Sequence, residues 1–247
     1  MPDYRAAPLT ALRHARASLR GALRQRGEFT YAQEGEDRVV ARILGSQPKG
    51  FYVDIGAHDP VRFSNTYLFY RMGWRGIAIE PAPAAAKAFA RVRPRDTILT
   101  LAVGSQQGTL PYYEFDEPAL NTLSADRAAD LAAHTSYRLL RTASVEVQTL
   151  DAILTAHLPA GTAIDLLSVD TEGMDLDVLE SNDWTRFRPR IVVVELLGMP
   201  ELGKVDSSPT TKALRDREYV PVAKTGNSVI FVAKGIILAD AGVAPRQ

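Results

Sequence analysis

Short apolar runs alternate with segments of helical periodicity along most of this chain. The runs are bounded by Gly, Pro or charged residues, and they predict strands at 51–55, 76–80, 97–103, 164–169 and 191–196. Between them, apolar residues recur at helical spacing, for example in 83–91 and 174–179. Repeated β-α-β units with short apolar strands predict an α/β fold. We expect a doubly wound, mostly parallel sheet with helices on both faces.

Two segments depart from this alternation. Extended stretches at 110–115 and 145–149 enclose less regular polar sequence, which we interpret as a substrate-binding insert at about residues 112–144. Near the C-terminus, strands at 219–223 and 228–232 are joined by the turn sequence Thr225-Gly226-Asn227. This pattern predicts a hairpin that adds an antiparallel strand at one edge of the sheet.

The balanced charge of the chain, 29 basic against 29 acidic residues, conceals a basic leader. Residues 1–27 carry six arginines and one aspartate, and leucines recur there at helical spacing. We predict a basic amphipathic helical extension at 1–27 and a single domain at 28–247. Residues 5–26 could contact a membrane surface or a protein partner, or the leader could lie on the main domain.

Composition narrows the classes of function. A chain with 46% hydrophobic and 23% charged residues is typical of a folded protein, and its lack of cysteine excludes disulfides and thiolate chemistry. No apolar run approaches the length of a membrane span. We therefore expect a cytoplasmic protein, with peripheral membrane contact as the alternative, and a homodimer as the commonest oligomer. The acidic body disfavours nucleic acid as a partner.

Candidate ligand contacts lie just after each strand, because open α/β sheets bind ligands beyond the carboxyl ends of their strands. The first loop contains Gly56 but no glycine-rich phosphate motif. Asp54 and Asp59 make this loop acidic, which suits a sulfonium better than a phosphate. Glu80 ends the next strand, where a carboxylate can accept hydrogen bonds from both hydroxyls of a ribose. Together these features describe S-adenosylmethionine better than NAD or ATP.

Several motifs in this order resemble one known family, the FkbM family of S-adenosylmethionine-dependent methyltransferases. The main motifs are Gly50-Phe51-Tyr52-Val53-Asp54-Ile55-Gly56-Ala57-His58-Asp59-Pro60, Gly73-Trp74-Arg75-Gly76 and Leu167-Ser168-Val169-Asp170-Thr171-Glu172-Gly173. The resemblance covers about residues 31–200. It implies a class I methyltransferase fold, which is Rossmann-like, and methylation of a hydroxyl oxygen on a sugar or a secondary metabolite.

The resemblance also implies a set of contacts to the cofactor. The cofactor-binding residues carried over by motif are Asp54, Gly56, Ala57, Asn65, Glu80, Ala102 and Val103. Asp54 and Gly56 would line the methionine end, with Asn65 as a second contact, and Glu80 would hold the ribose. The small apolar pair of Ala102 and Val103 would flank the adenine.

Methyl transfer to an alcohol requires a group that removes the hydroxyl proton or lowers its pKa. Asp170 and Glu172 follow the fourth predicted strand and are candidate bases, and His58 is the other candidate because imidazole titrates near neutrality. Asp170 and Glu195, at neighbouring strand ends, are also candidate ligands of a divalent cation such as Mg²⁺.

Three hypotheses for function follow. The leading one is O-methylation of a sugar, a glycan or a glycosylated metabolite, because the insert is rich in hydroxyl, amide and aromatic side chains. The second is O-methylation of a polyketide or lipid hydroxyl. The third, from another class, is a non-catalytic cofactor-binding or scaffold domain.

Overall fold

The computed structural model describes residues 29–45, 47–198 and 201–236, so the predicted leader helix lies outside the described residues. The strands are β1 (Phe51–Ile55), β2 (Arg75–Ile79), β3 (Thr97–Leu99), β4 (Ala102–Val103), β5 (Gly108–Phe115), β6 (Leu139–Gln148), β7 (Leu166–Val169), β8 (Ile191–Glu195), β9 (Tyr219–Lys224) and β10 (Ser228–Ala233). The helices are α1 (Glu36–Leu44), α2 (Tyr67–Arg71), α3 (Pro83–Val92), α4 (Ala125–His134), α5 (Leu150–His157), α6 (Asp175–Glu180) and α7 (Pro209–Asp216), with 3-10 helices at Pro118–Leu120 and Leu202–Ser207.

The main sheet has seven strands in the order β3-β2-β1-β7-β8-β10-β9. Neighbours from β3 to β8 pair in parallel, whereas β10 is antiparallel to both β8 and β9. This confirms the predicted α/β fold with a mostly parallel sheet and an antiparallel C-terminal hairpin strand. Within the hairpin, β10 pairs with β8 and β9 forms the edge of the sheet.

One local prediction was wrong. The run 97–103 divides into β3, which joins the main sheet, and β4, which pairs with β6 in a second sheet of order β4-β6-β5. The extended segments expected at 110–115 and 145–149 lie in β5 and β6, which form a long antiparallel pair with α4 between them. Ten of the 18 residues on these two strands are exposed, so neither strand shows apolar alternation along its whole length.

Buried strands carry the site at their carboxyl ends. Every residue of β1, β7 and β8 is buried, as expected for parallel strands covered on both faces. The core packs Val53, Ile77, Leu167, Val192 and Phe231 together across the sheet. The strand ends are therefore held in a rigid frame.

A fully buried arginine fixes the loop that follows β1. Arg93 is 1% exposed, and its guanidinium donates to the Pro60 carbonyl (2.6 Å), to Ser64 Oγ (2.6 Å) and to Thr66 Oγ1 (2.8 Å). The Thr66 hydroxyl in turn donates to the carboxylate of Asp54. Burial raises the pKa of Asp54, and the nearby Arg93 charge opposes that rise. One buried cation thus joins the end of α3 to residues 56–66.

We predict that Arg93→Met lowers the free energy of unfolding by about 3–5 kcal/mol, because it leaves a buried carboxylate without its cation. Arg91→Met, in the same helix but at an exposed position, is the matched control and should change it by about 0.5 kcal/mol or less. Urea denaturation followed by circular dichroism measures both. Equal effects of the two variants would contradict the assigned role of Arg93.

Candidate active site

A cavity of about 350 Å³ opens at the carboxyl ends of β1, β2, β7 and β8. Its volume lies in the range of sites for small molecules and cofactors. The strand ends contribute Gly56, Glu80, Asp170 and Glu195 to its lining. The insert covers the opposite side with Tyr112, Leu120, Asn121, Leu123, Arg127 and Tyr137. The predicted insert and the predicted strand-end residues thus share one cavity.

The closest backbone contact of the site joins the ends of β1 and β7. Gly56 has a positive φ of 73°, and a Cβ there would lie 1.7 Å from the carbonyl oxygen of Asp170. The Asp170 N–H donates to the Ile55 carbonyl (3.0 Å), which fixes the two ends together. Only glycine fits this position. The strand order reverses between β1 and β7, so the contact lies where ligands bind in such sheets.

Glu80 is buried at the end of β2, and its carboxylate organises the neighbouring loops. One oxygen accepts from the His58 N–H (3.0 Å), and the other accepts from the Ala82 N–H (2.9 Å) and the Tyr112 hydroxyl (3.3 Å). Burial raises its pKa, and these hydrogen bonds oppose the rise. Each carboxylate oxygen has two lone pairs, so one oxygen keeps capacity for a ligand hydroxyl.

The other predicted cofactor residues divide between the cavity and its support. Ala102 and Val103 line the cavity beside Leu101 and form an apolar wall. Asp54 and Ala57 are buried behind the lining, Asp54 in the Arg93 network and Ala57 against Ala78 and Phe89. Asn65 lines a smaller adjoining cavity and donates to Ser168 Oγ (3.1 Å). The roles assigned to all these residues in cofactor binding stay predictions.

Three carboxylates gather at the ends of β7 and β8. Asp170, Glu172 and Glu195 each offer an oxygen within 4.8 Å of the others. Burial is the main cause that raises the pKa of each of the three groups, and their mutual repulsion adds to it for Asp170 and Glu195. Sequence reasoning placed Asp170 and Glu195 together as metal ligands, and the structure adds Glu172 to the pair.

The insert is tied to this cluster by Arg127, which sequence reasoning missed. The Arg127 guanidinium donates twice to one oxygen of Glu172, at 3.0 and 3.2 Å. Thr122 Oγ1 also donates to the Glu172 carbonyl (2.8 Å). A charged residue in a polar helix gives no sequence signal, because its partner lies 45 positions away. Gln33 and Asn227, further lining residues, were missed as well.

Backbone strain concentrates around the cavity. Within the described ranges, non-glycine residues with positive φ are His58, Phe63, Glu172 and Glu218, and the first three line the cavity. Such conformations cost free energy and cluster at functional sites. The ring nitrogen Nε2 of His58 is buried and has no hydrogen-bond partner among the described residues. Burial lowers the pKa of His58, so its imidazole is neutral at pH 7.

Three features of the main sheet define a class I methyltransferase fold. They are its strand order, its antiparallel strand β10 and the cavity where the strand order reverses. A sequence-family model described as Methyltransferase FkbM domain matches residues 54–221, which is more than half of the chain. The chain therefore belongs to the FkbM methyltransferase family, as the motifs indicated. None of the curated protein sequences compared with the chain matches it.

Solved structures similar to this one are methyltransferases of low sequence identity. A TehB-like S-adenosylmethionine-dependent methyltransferase of Corynebacterium glutamicum has a TM-score of 0.40 and 10% identity, covering 92% of this chain and 100% of that one. The 1,6-didemethyltoxoflavin-N1-methyltransferase of Burkholderia thailandensis has a TM-score of 0.38 and 14% identity, with 94% and 91% covered. An O-methyltransferase of Bacillus cereus has a TM-score of 0.34 and 11% identity, with 91% of each chain covered.

Predictions about partners and location stay open in this structure. Within the described ranges, every helix is too short or too polar to cross a bilayer. Residues 5–26, predicted to contact a membrane or a protein, lie outside the described residues. The predicted homodimer and the cytoplasmic location stay predictions, as do the assigned domain limits.

We predict that Gly56→Ala destabilises the fold more than Gly161→Ala, although the two glycines have nearly equal φ angles of 73° and 70°. A Cβ at Gly161 would meet no atom within 4 Å. Alanine there therefore costs only the strain of the left-handed backbone, about 1–2 kcal/mol. At Gly56 the methyl group also collides with the Asp170 backbone, which adds about 1–3 kcal/mol. Urea denaturation compares the two variants, and equal losses would contradict the assigned strand-end contact.

Proposed function

We propose that this FkbM-family protein transfers the methyl group of S-adenosylmethionine to a hydroxyl oxygen of a sugar, a glycan or a glycosylated metabolite. One observation carries the proposal. A single cavity joins the Gly56 bend, the partnered carboxylate of Glu80 and the carboxylate cluster at the ends of β7 and β8. This arrangement offers a cofactor site and an acidic site for an acceptor in the same cavity.

The cofactor would lie along the ends of β1, β2 and β4. In this pose Glu80 accepts hydrogen bonds from the ribose, while Leu101, Ala102 and Val103 contact the adenine. Gly56 allows the backbone to approach the methionine part closely. The sulfonium then lies near Gly56, on the side of the cavity that Asp170 and Glu195 line.

Methyl transfer requires the acceptor oxygen to approach the methyl carbon in line with the sulfur. An oxygen–carbon bond forms, the carbon–sulfur bond breaks, and its electron pair stays on sulfur to give S-adenosylhomocysteine. The hydroxyl proton passes to a base. We assign this role to His58, since it lines the cavity, its imidazole is neutral and its Nε2 has no hydrogen-bond partner among the described residues. Asp170 is a weaker candidate for the base because it is surrounded by other acidic groups. Glu172 is a weaker candidate because its carboxylate is bound to Arg127.

A second acceptor class is favoured by the apolar part of the lining. Phe63, Leu120, Leu123 and Leu197 lie in the same cavity, and they suit the hydrocarbon body of a polyketide or a lipid alcohol. Tritium-labelled S-adenosylmethionine should be offered with sugars, glycosides, polyketides and lipid alcohols, and mass spectrometry should locate the methyl group. Transfer to a sugar hydroxyl supports the proposal, and transfer to a polyketide or lipid hydroxyl supports this alternative. Cofactor binding without transfer to any acceptor supports a non-catalytic domain.

We predict that Glu80→Gln weakens S-adenosylmethionine binding about ten- to hundredfold, because a charged hydrogen bond to the ribose is lost. Isothermal titration calorimetry measures the dissociation constant. Glu146→Gln, an exposed position on β6, removes the same charge outside the cavity and should leave binding unchanged. Unchanged affinity in Glu80→Gln would remove this residue from the cofactor site, and no binding by the unmodified protein would refute the proposed function.

We predict that kcat/KM falls as the pH drops through the lowered pKa of His58, because the protonated imidazole cannot accept the hydroxyl proton. This fall lies below the ordinary histidine pKa of 6.5, since burial, together with the Arg62 charge, outweighs the opposite effects of Asp59 and Glu117. His58→Gln should lower kcat about 10²–10⁴-fold and remove this limb of the pH profile. His157→Gln, at an exposed position, is the control. A retained limb in His58→Gln would assign the base elsewhere.

A further inference from the structure

The carboxylate cluster at the ends of β7 and β8 contains an atom that its surroundings leave unsatisfied. Glu195 is only 8% exposed, and its Oε2 has no hydrogen-bond partner in the part of the chain that the structure describes. Glu195 also lines the main cavity. A buried carboxylate oxygen without a donor is costly, so this oxygen requires a ligand or a proton.

The basic side chains that the structure describes do not neutralise all three acidic groups of the cluster. Arg127 donates to one carboxylate oxygen of Glu172, and its guanidinium is shared with Asp130 (3.6 Å) in α4. Among the described residues, no ion pair links a basic side chain to Asp170 or Glu195. The nearby Asp175 adds further negative charge. Its carboxylate accepts hydrogen bonds from the N–H groups of Thr171 and Gly173, and its charge repels that of Asp170. In the ranges that the structure describes, two of the three carboxylates thus form no ion pair with a basic side chain.

The space beside the cluster matches a guest of atomic size. A second cavity of about 20 Å³ adjoins the main one and is lined by Asp170 and Glu195 together with Gln33, Asn65 and Asn227. This volume holds about one water-sized guest. Its lining combines carboxylate oxygens with side-chain amides, and both supply the oxygen atoms that hard cations require.

We propose that Asp170, Glu172 and Glu195 bind one divalent cation of the Mg²⁺ or Mn²⁺ type. Oxygen ligands without sulfur or imidazole favour these hard ions over zinc or copper. Glu172 keeps one oxygen for Arg127 and turns the other to the ion, which couples the insert to the site. Binding of the ion does not rest on the proposed function. Its use does: the ion would hold the acceptor hydroxyl oxygen and lower its pKa.

Binding of Mn²⁺ to the full chain tests the site directly. Free Mn²⁺ has a six-line electron paramagnetic resonance signal, which decreases when the ion is bound. We expect one Mn²⁺ per chain at pH 7.5 and competition by Mg²⁺. Glu195→Gln and Asp170→Asn should each weaken binding at least tenfold. Glu201→Gln removes an exposed carboxylate elsewhere and should bind as the unmodified protein does.

Thermal melts confirm that each variant is folded before its titration. An undiminished Mn²⁺ signal with the unmodified protein, or equal binding by folded Glu195→Gln, Asp170→Asn and unmodified protein, would overturn the proposal. The unmodified protein would then keep the cluster neutral with a shared proton. The result is independent of catalysis, since Mn²⁺ binding without methyl transfer to any acceptor would refute the proposed function and leave the cation site intact.

Discussion

The contact between Gly56 and the Asp170 carbonyl is the constraint on which the site depends. It brings the ends of β1 and β7 so close that no side chain fits between them. The bend at Gly56 then carries His58 to the carboxylate of Glu80, and the turn after Asp170 carries Glu172 to Arg127. The loops that carry the proposed cofactor contacts and acceptor contacts therefore both start at this backbone contact, which fixes their positions relative to each other.

Two arginines bind different groups on the two sides of this contact. Arg93 lies beneath the loop after β1, where it stabilises Asp54 and the loop hydroxyls with no solvent access. Arg127 lies on the cavity side and reaches the cluster from the insert. The first arginine supports the fold, since its partners are sealed inside it. The second links the insert to the carboxylate cluster through Glu172. A movement of α4 would therefore change the charge balance of the cluster.

The sequence predicts the frame of the molecule better than the parts that cover it. The buried strands and Gly56, Glu80, Asp170 and Glu195 are identifiable because apolar runs end at them, and all four residues line the cavity. The split between β3 and β4 is not identifiable, since Leu99, Leu101 and Val103 continue one apolar pattern into two sheets. Arg127 acts through Glu172, and α7 has a short polar sequence, so neither has a local signal. Long-range contact, rather than periodicity, determines these features.

The position of β10 has a consequence for synthesis of the chain. This strand is near the C-terminal end, yet it lies between β8 and β9 and carries Ser228 against Glu195. Its preceding turn is bound by Glu34, at the opposite end of the domain, through the Asn227 N–H (2.7 Å). Until a ribosome has released residues 228–233, the valine-rich edge of β8 is open to solvent and Glu195 has no completed wall beside it. The wall of the cavity beside Glu195 is therefore completed only after residues 228–233 have left the ribosome, later than the strands that lead to Gly56, Glu80 and Asp170.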